Sequence, residues 1–263
     1  MLKDQSRSGT QSDLLGRPRF LQIADEIRAN VENKTLKVHD ILPSERILSE
    51  QYGVSRMTAR RAMEALETEG LVYSADRRGR FVSPARLQYN VSNMISFVST
   101  AQSNDVDLKI DLVNAFETTA DARVAALLEQ PEGCGITQYT RLFHTGAHPT
   151  FIETEYLISA HFPDFLKHDL RRSTTKILKE NYGVSAATGD IVIRMRRVHT
   201  NEADLLSIAT SHTVIELEQV IRDEAGVPFC FGCQVWRGEM AEFSAHAIVN
   251  DNVRAMYEGD VRR

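Results

Sequence analysis

Apolar residues in the first third of the chain recur with the period of an α-helix. The residues that form the first stripe are Phe20, Ile23, Ala24, Ile27 and Val31. This spacing predicts an amphipathic helix with one buried face. The pattern stops over residues 35–41. A second helix is then predicted to begin after Ser44, because a serine hydroxyl at this place can cap the first turn.

A glycine turn separates the second helix from a third one. Gly53 favours a sharp turn because glycine readily adopts the left-handed backbone conformation. Ser55 can cap the next helix, which runs over residues 56–69 and is stopped by Gly70. Two short helices joined by a tight turn are typical of a helix-turn-helix.

The pattern then changes from the helical period to the alternation of β-strands. Short apolar stretches at 71–73 and 80–82 surround a turn and predict a two-stranded wing behind the helix-turn-helix. Further segments with strand character cover 136–144, 151–158, 191–198, 214–221 and 229–236, and a helical stretch spans 173–182. Hairpins with scattered helices indicate an α+β domain on an antiparallel sheet.

At 263 residues the chain is long enough for two domains. The changes of pattern divide it into a disordered arm at 1–16, a winged helix-turn-helix domain at 17–84, a polar linker at 85–102, an effector-binding domain at 103–250 and a tail at 251–263.

Charge and composition point to a DNA-binding module in the cytoplasm. The net charge is −5, but residues 17–86 hold 13 Lys and Arg against 10 Asp and Glu, whereas residues 87–263 hold 16 against 24. A basic head on an acidic body suits DNA contact by one domain. Three cysteines fit a reducing compartment. No apolar run approaches the roughly 20 residues that a membrane span needs, and no secretory signal is evident.

The start of the third helix is the part of a helix-turn-helix that enters the major groove of DNA. The residues expected to contact DNA are Arg46, Ser55, Arg56, Thr58, Arg60, Arg78, Gly79 and Arg80. Arginine can donate two hydrogen bonds to guanine, and threonine can reach a phosphate or a thymine methyl group. Arg77, Arg78 and Arg80 surround the tip of the predicted wing, and arginines there suit the electronegative minor groove. Because one module buries little surface, we expect a homodimer on a palindromic operator in double-stranded DNA.

The first domain closely resembles the DNA-binding domain of GntR-family regulators. The resemblance lies in the runs 42–46, 48–50 and 52–62 and continues through 69–72 and 79–82. It implies DNA contacts from Arg46, Arg56, Thr58, Arg60 and the wing tip. In place of the family's glycine-rich wing sequence, this chain has Arg78-Gly79-Arg80 followed by Phe81 and Val82, so its wing carries fewer glycines and more charge.

The second domain resembles the HutC subfamily, whose UTRA effector domain has a chorismate-lyase-like fold. The resemblance places an effector-binding site at Arg141, Glu153, Ser173, Thr175, Phe143 and Cys230. It implies that Arg141 and the helix start at Ser173 hold an anion, and that Glu153 accepts from a hydroxyl or amine of the ligand. Physical reasoning agrees, because helix N-termini and guanidinium groups both bind anions. A simple cross-strand ion pair of Arg141 with Glu153 is the alternative.

Three departures bear on the effector. Where relatives that bind sugar phosphates have a second arginine, this chain has Phe143; where they often have tyrosine and glutamate, it has Thr175 and Cys230. A compact phosphonate or carboxylate therefore fits better than a sugar phosphate, and the run 237–243 resembles the phosphonate-responsive branch.

Other kinds of chemistry find less support in the sequence. Cys230 and Cys233 lie three residues apart on a strand and should face opposite sides, so no metal and no cofactor are expected. The second hypothesis for function is an enzyme of chorismate-lyase-like fold that acts on a small acid. The sequence offers it no nucleophile–base pair and no suitably spaced carboxylates, so we expect a regulator and not an enzyme.

Overall fold

The computed structural model describes residues 17–75, 78–84, 86–92, 98, 108–146 and 148–246. The helices are α1 (Arg19–Glu32), α2 (Glu45–Tyr52), α3 (Arg56–Thr68), α4 (Ala122–Leu127), α5 (Thr174–Tyr182) and α6 (Thr200–Leu206). The strands are β1 (Val72–Ala75), β2 (Gly79–Val82), β3 (Leu87–Asn90), β4 (Leu108–Thr119), β5 (Gly135–Thr145), β6 (His148–Ile158), β7 (Thr188–Arg197), β8 (Thr213–Arg222), β9 (Pro228–Arg237) and β10 (Ala241–Ser244). The expected arm at 1–16 and tail at 251–263 lie outside the described residues.

Helices α1, α2 and α3 form the helix-turn-helix domain. The hydroxyl of Ser44 accepts from the backbone N–H of Ile47 at 3.4 Å and caps α2. Gly53 ends α2 with φ +61°, a conformation that costs glycine little. Ser55 then caps α3 and accepts from the N–H of Thr58 at 3.1 Å. These caps satisfy N–H groups that a helix start otherwise leaves without an acceptor.

A compact apolar core joins the three helices to the wing. Its fully buried members are Ile23, Ala24, Ile27, Leu42, Leu48, Ala59, Ala62, Met63, Leu66, Val72 and Val82. Strands β1 and β2 pair antiparallel, with Tyr73 opposite Phe81. A single bridge from Ile41 to Phe81 ties the loop before α2 to the wing. The N-terminal winged helix-turn-helix is confirmed.

The second domain is built on a six-stranded antiparallel sheet in the order β4–β5–β6–β9–β8–β7. In the β5–β6 hairpin, Arg141 lies opposite Glu153, and on the next strand Gln234 lies opposite Glu153. Neighbouring strands therefore bring these three side chains to one place on the same face. Helices α4, α5 and α6 contribute apolar residues to the surrounding cores. The α+β class with an antiparallel sheet is confirmed.

One short strand lies inside the stretch that the sequence favours as a linker. Residues 87–90 form β3 and pair in parallel with β10 at 241–244. These four residues are thus part of a sheet and not a free connection. Their partner strand lies about 150 residues further along the chain, and alternation over four residues does not reveal such a distant partner.

No helix among the residues described is long and apolar enough to cross a membrane.

Candidate functional site

A groove of about 780 Å³ opens between the start of α2, the start of α3 and the wing. It is lined by Ile41, Leu42, Pro43, Ser44, Glu45, Arg46, Ile47, Arg56, Arg78, Gly79 and Arg80. Five of the eight residues that the sequence singles out for DNA contact therefore line the groove: Arg46, Arg56, Arg78, Gly79 and Arg80. Four arginines and one glutamate, Glu45, line the groove, so basic side chains outnumber acidic ones among its lining residues.

The arginines of this face differ in whether they form ion pairs with nearby carboxylates. Arg46 pairs with Glu50 at 3.0 Å, and Arg60 pairs with Glu64 at 2.9 Å, both one helical turn away and exposed. Arg56 is exposed at the start of α3 and has no acceptor among the residues that the structure describes. Exposed ion pairs such as those of Arg46 and Arg60 contribute little to stability. Arg46 and Arg60 can therefore exchange their carboxylates for phosphates.

Ser55 and Thr58 fix the backbone at the front of α3. Besides the cap, the Ser55 and Thr58 hydroxyls lie 2.9 Å apart. Both residues are therefore occupied in shaping the helix start, and Thr58 is half-buried. Arg56, which lies between them in the first turn, is exposed and lines the groove.

The wing arginines are not equivalent. Arg80 pairs with Glu45 at 2.9 Å and with Glu67 at 3.4 Å, and its side chain is only 21% exposed. Its guanidinium thus ties the wing to α2 and α3. Arg78 is exposed, and Gly79 has φ +111°, a conformation that side chains rarely adopt. Arg77 lies outside the described residues.

Arg141 is the centre of a buried polar cluster in the effector domain. It is 2% exposed and forms ion pairs with Glu153 and, at 2.8 Å, with Glu155. Its Nη1 donates to the carbonyl groups of Leu170 at 3.0 Å and Arg172 at 2.7 Å. The cross-strand pair that the sequence offers as an alternative is present. The chain that leads into α5 is therefore fastened to the sheet by one guanidinium.

A second carboxylate, from Glu155, changes the charge balance of this cluster. The hydroxyl groups of Tyr139 and Thr174 both hydrogen-bond to Glu155. Burial raises the pKa of Glu155, and the charge of Glu153 raises it further, while Arg141 acts in the opposite direction. Burial by itself lowers the pKa of Arg141, but the two carboxylates raise it overall. One guanidinium thus faces two acidic groups.

Of the other residues singled out for the effector site, Phe143 lies beside the Arg141 guanidinium, whereas Ser173 and Thr175 lie at the start of α5. Ser173 caps α5 and accepts from the N–H of Lys176 at 3.3 Å, and its hydroxyl lies 3.1 Å from that of Thr175. Phe143 is fully buried, and its ring stacks on Phe151 at 4.1 Å. The guanidinium of Arg141 lies 5.4 Å from the centre of the Phe143 ring.

Cys230 and Cys233 face opposite sides of the sheet, as the spacing predicts. The thiol of Cys230 lies 3.8 Å from Glu155, and burial, followed by the charge of Glu155, raises its pKa well above the ordinary value. A thiol with a raised pKa is a poor nucleophile and a poor metal ligand. Cys233 lies instead beside Glu216 and Glu218 on the other face.

The group Glu216, Glu218 and Cys233 brings its ligand atoms within 4.8 Å of one another. Arg194 bonds to both carboxylates, at 3.1 Å and 3.0 Å. Arg196 also pairs with Glu216, and Arg123 pairs with Glu218. The guanidinium groups neutralise the acidic charge that a cation would need, so the group does not support a metal site.

Four side chains of the Arg141 cluster were not anticipated from the sequence: Tyr139, Glu155, Gln234 and Thr174. The sequence does contain a signal for Tyr139 and Glu155. Tyr139 and Glu155 stand two positions from Arg141 and Glu153 on their strands, and strand alternation places such residues on the same face. Gln234 can be placed beside Glu153 only when the pairing of β6 with β9 is known. Likewise, His144 has a carboxylate partner, Asp111 at 3.1 Å, on a strand that the sequence did not suggest.

The fold and the two candidate sites define a DNA-binding regulator with a separate effector domain. A family model described as bacterial regulatory proteins of the gntR family matches residues 20–82, and a model of the UTRA domain matches residues 103–242. The chain therefore belongs to the GntR family and carries a UTRA domain, the combination expected for the HutC subfamily.

Curated relatives and known structures agree with this assignment. The chain is 27% identical to the HTH-type transcriptional repressor NagR of Bacillus subtilis over 86% of this chain and 93% of that repressor. It is 28% identical to a histidine utilization repressor of Klebsiella aerogenes over 60% of this chain and 65% of that one. The crystal structure of PhnF from Mycobacterium smegmatis has a TM-score of 0.61 at 21% identity and covers 87% of this chain and all of that one. The protein is thus a transcriptional regulator and not an enzyme.

Proposed function

We propose that this regulator is a repressor that binds a palindromic operator in the cytoplasm as a homodimer and responds to a small anionic effector. The observation that carries the DNA-binding part is the groove lined by Arg46, Arg56, Arg78 and Arg80, with Arg56 exposed at the helix start. The N-terminal turn of such a helix reads base edges, and arginine is suited to guanine.

A single winged domain of this size buries too little surface for operator-level affinity. Two copies related by a two-fold axis double the contacts and require a palindrome with half-sites about one helical turn apart. The pairing of Arg46 and Arg60 with carboxylates within the same helix leaves them able to turn to phosphates, because those pairs are exposed. We expect Arg56 to contribute to base preference, and Arg46 and Arg60 to contribute mainly to affinity.

The effector is proposed to bind at the Arg141 cluster. Arg141 and the first N–H groups of α5, behind Ser173, are suited to an acidic group. Glu153 and Glu155 are acceptors and are suited to a hydroxyl or an amine. A compact molecule with both kinds of group matches this set, for example an aminoalkyl phosphonate or an amino acid. Because Arg141 is closed off from solvent, such a ligand has to displace some of its present contacts.

The test is operator binding measured with and without candidate effectors, on operator fragments selected from random DNA. Arg56→Ala should weaken operator binding by about 1–3 kcal/mol and relax the preference at one base pair in each half-site. Arg171→Ala removes an equally exposed arginine of the effector domain and should leave binding unchanged. Sedimentation of the complex should show two chains for each palindrome. A monomer that protects one half-site would contradict the proposal.

The same assay separates the two sites. Arg141→Lys keeps the charge but loses the planar fork of donors, so operator affinity should be retained while the response to effector is lost. The matched probes are 2-aminoethylphosphonate and ethylphosphonate, with β-alanine and propionate as the carboxylate pair. If Arg141→Lys responds to a probe with the same half-maximal concentration as the unchanged protein, the effector binds elsewhere.

A further inference from the structure

The two domains touch through a small set of polar and aromatic side chains, here called the interdomain contact. Its members are His39, Tyr73 and Ser74 of the DNA-binding domain and His148, Pro149 and Arg237 of the effector domain. Arg237 is 1% exposed. Its Nη2 donates to the carbonyl of Ser74 at 3.0 Å, and its guanidinium lies 4.9 Å from the centre of the Tyr73 ring. A residue of the effector domain is thus bound directly to the first strand of the wing.

Within its own domain Arg237 is held in place from two sides. Glu239 pairs with it at 2.8 Å, and the carbonyl of Pro149 accepts from it at 3.4 Å. Burial alone would raise the pKa of Glu239, but a hydrogen bond from His212 and the charge of Arg237 lower it to about 2. Glu239 is therefore ionised at neutral pH, and the guanidinium is oriented before the wing meets it.

A second part of the contact is made by aromatic rings. The hydroxyl of Tyr73 lies 2.8 Å from Nδ1 of His148 and 3.0 Å from Nδ1 of His39. The rings of His39 and His148 stack with their centres 3.9 Å apart. His148 begins β6, so the tip of the β5–β6 hairpin and the end of β9 both reach the DNA-binding domain.

These two strands also carry the Arg141 cluster. Gln234 of β9 donates to Glu153 at 2.9 Å, and Trp236 donates to the other end of the same amide at 2.9 Å. Arg237 follows Trp236 directly in the chain. Only two side chains, those of Gln234 and Trp236, therefore separate Glu153 from Arg237, the residue that contacts the wing.

The interdomain contact borders unfilled space. Beside it lies a cavity of about 440 Å³ whose walls come from both domains, including Thr68 and Val72 on one side and Ile215 and Gly238 on the other. Among the described residues, the contacts of the interdomain contact are polar and aromatic, and they lie next to unfilled space. Interfaces of that kind within a chain commonly permit domain motion.

We propose that the interdomain contact is a docking surface on which the effector domain holds its own DNA-binding domain, and that ligand binding at the Arg141 cluster releases it through Gln234. The identity of the ligand site rests on the proposed function, whereas the docking surface does not. Docking fixes the direction in which α3 faces, and release frees the domain to turn. In a dimer this would change the spacing of the two recognition helices, so the two states would differ in operator affinity.

The docking is tested without operator or ligand, by hydroxyl-radical footprinting of the full chain read by mass spectrometry. The reporters are Tyr73 and His148 at the contact, Met63 in the core of the DNA-binding domain and Phe165 in the core of the effector domain. Arg237→Gln should raise oxidation of Tyr73 and His148 by about fivefold or more, the factor that corresponds to a loss of ~1 kcal/mol. Arg222→Gln makes the same change on β8 at a surface pair with Glu129 and should change none of the reporters.

Further variants separate docking from folding. Tyr73→Phe removes only the hydroxyl that lies between the two histidines and should raise oxidation of His148 while Met63 stays protected. Gln234→Leu should raise oxidation of Tyr73 if the Arg141 cluster and the contact are linked. Unchanged contact reporters in Arg237→Gln and Tyr73→Phe would overturn the docking surface, as would a rise that Phe165 or Met63 shares. An unchanged Tyr73 in Gln234→Leu would overturn the link. These footprinting results are obtained without operator, so their interpretation would stand even if the proposed operator binding were wrong.

Discussion

Single buried charges decide much of the behaviour of the effector domain. Arg141 donates to two carbonyl groups and pairs with two carboxylates, and its Nε is buried without a hydrogen-bond partner among the described residues. Such a group is costly to desolvate and is tolerated because nearly all of its donors are used. Removing it would leave Glu153 and Glu155 buried without a cation.

We therefore expect Arg141→Met to lower the free energy of unfolding of the effector domain by about 3–5 kcal/mol. The measurement is urea unfolding followed by tryptophan fluorescence, since Trp236 lies in the core of the same sheet. Arg171→Met, at an exposed pair with Asp169, should change stability by no more than about 0.5 kcal/mol. Equal small losses in both variants would mean that the Arg141 cluster is open to water in solution.

At the scale of elements, the helix-turn-helix depends on its caps. Ser55 satisfies an N–H at the start of α3 and lies 2.9 Å from the hydroxyl of Thr58. The first turn of α3 carries Arg56, which faces the groove. A frayed first turn would therefore disturb stability and DNA contact together.

Ser55→Ala should lower the free energy of unfolding of the DNA-binding domain by about 1 kcal/mol, because the capped N–H loses its acceptor. Thermal unfolding followed by circular dichroism measures the change. The matched control is Ser49→Ala in the middle of α2, where the hydroxyl donates to the carbonyl of Arg46. It should cost little, since alanine has the higher helix propensity. A loss in Ser49→Ala as large as in Ser55→Ala would argue against a specific capping role.

At the scale of the whole molecule, the interdomain contact carries two histidines, His39 and His148, whose pKa values are lowered. Burial, and then the positive charges of His39, Arg237, Arg78 and His144, lower the pKa of His148 to about 4. Burial also lowers the pKa of His39. Tyr73 faces both rings and remains neutral, since burial raises its pKa to about 12. The docked arrangement therefore favours the uncharged form of both imidazoles.

A histidine with a lowered pKa binds its proton more weakly in the docked state than in the separated one. The docked state is then favoured fully above the ordinary histidine pKa of about 6.5 and loses stability as the pH falls from there towards 4. We expect oxidation of Tyr73 in the footprinting assay to rise over this range, while Met63 stays protected. His148→Gln should flatten the profile. A profile that is unchanged by this substitution would exclude His148 as the responsible group.

The sequence by itself determined the elements whose signals are local. The order of α1, α2 and α3, the glycine turn and both serine caps follow from neighbouring residues, because a helical period and a cap are complete within a few positions. The β5–β6 hairpin was accessible for the same reason, and with it the pairing of Arg141 with Glu153. Helix bounds were predicted to within one or two residues for α3 and α5.

Tertiary structure alone decided which distant segments meet. The pairing of β3 with β10, the place of Gln234 beside Glu153 and the binding of Arg237 to the wing join residues far apart in the chain. No local pattern encodes such a pairing, since a strand shows its buried face but not its neighbour. Burial is likewise decided by the tertiary structure. The sequence shows that Arg141 and Arg237 are charged, but only the fold shows that their guanidinium groups are shielded from water. The fold therefore made Arg141 and Arg237 the centres of their contacts.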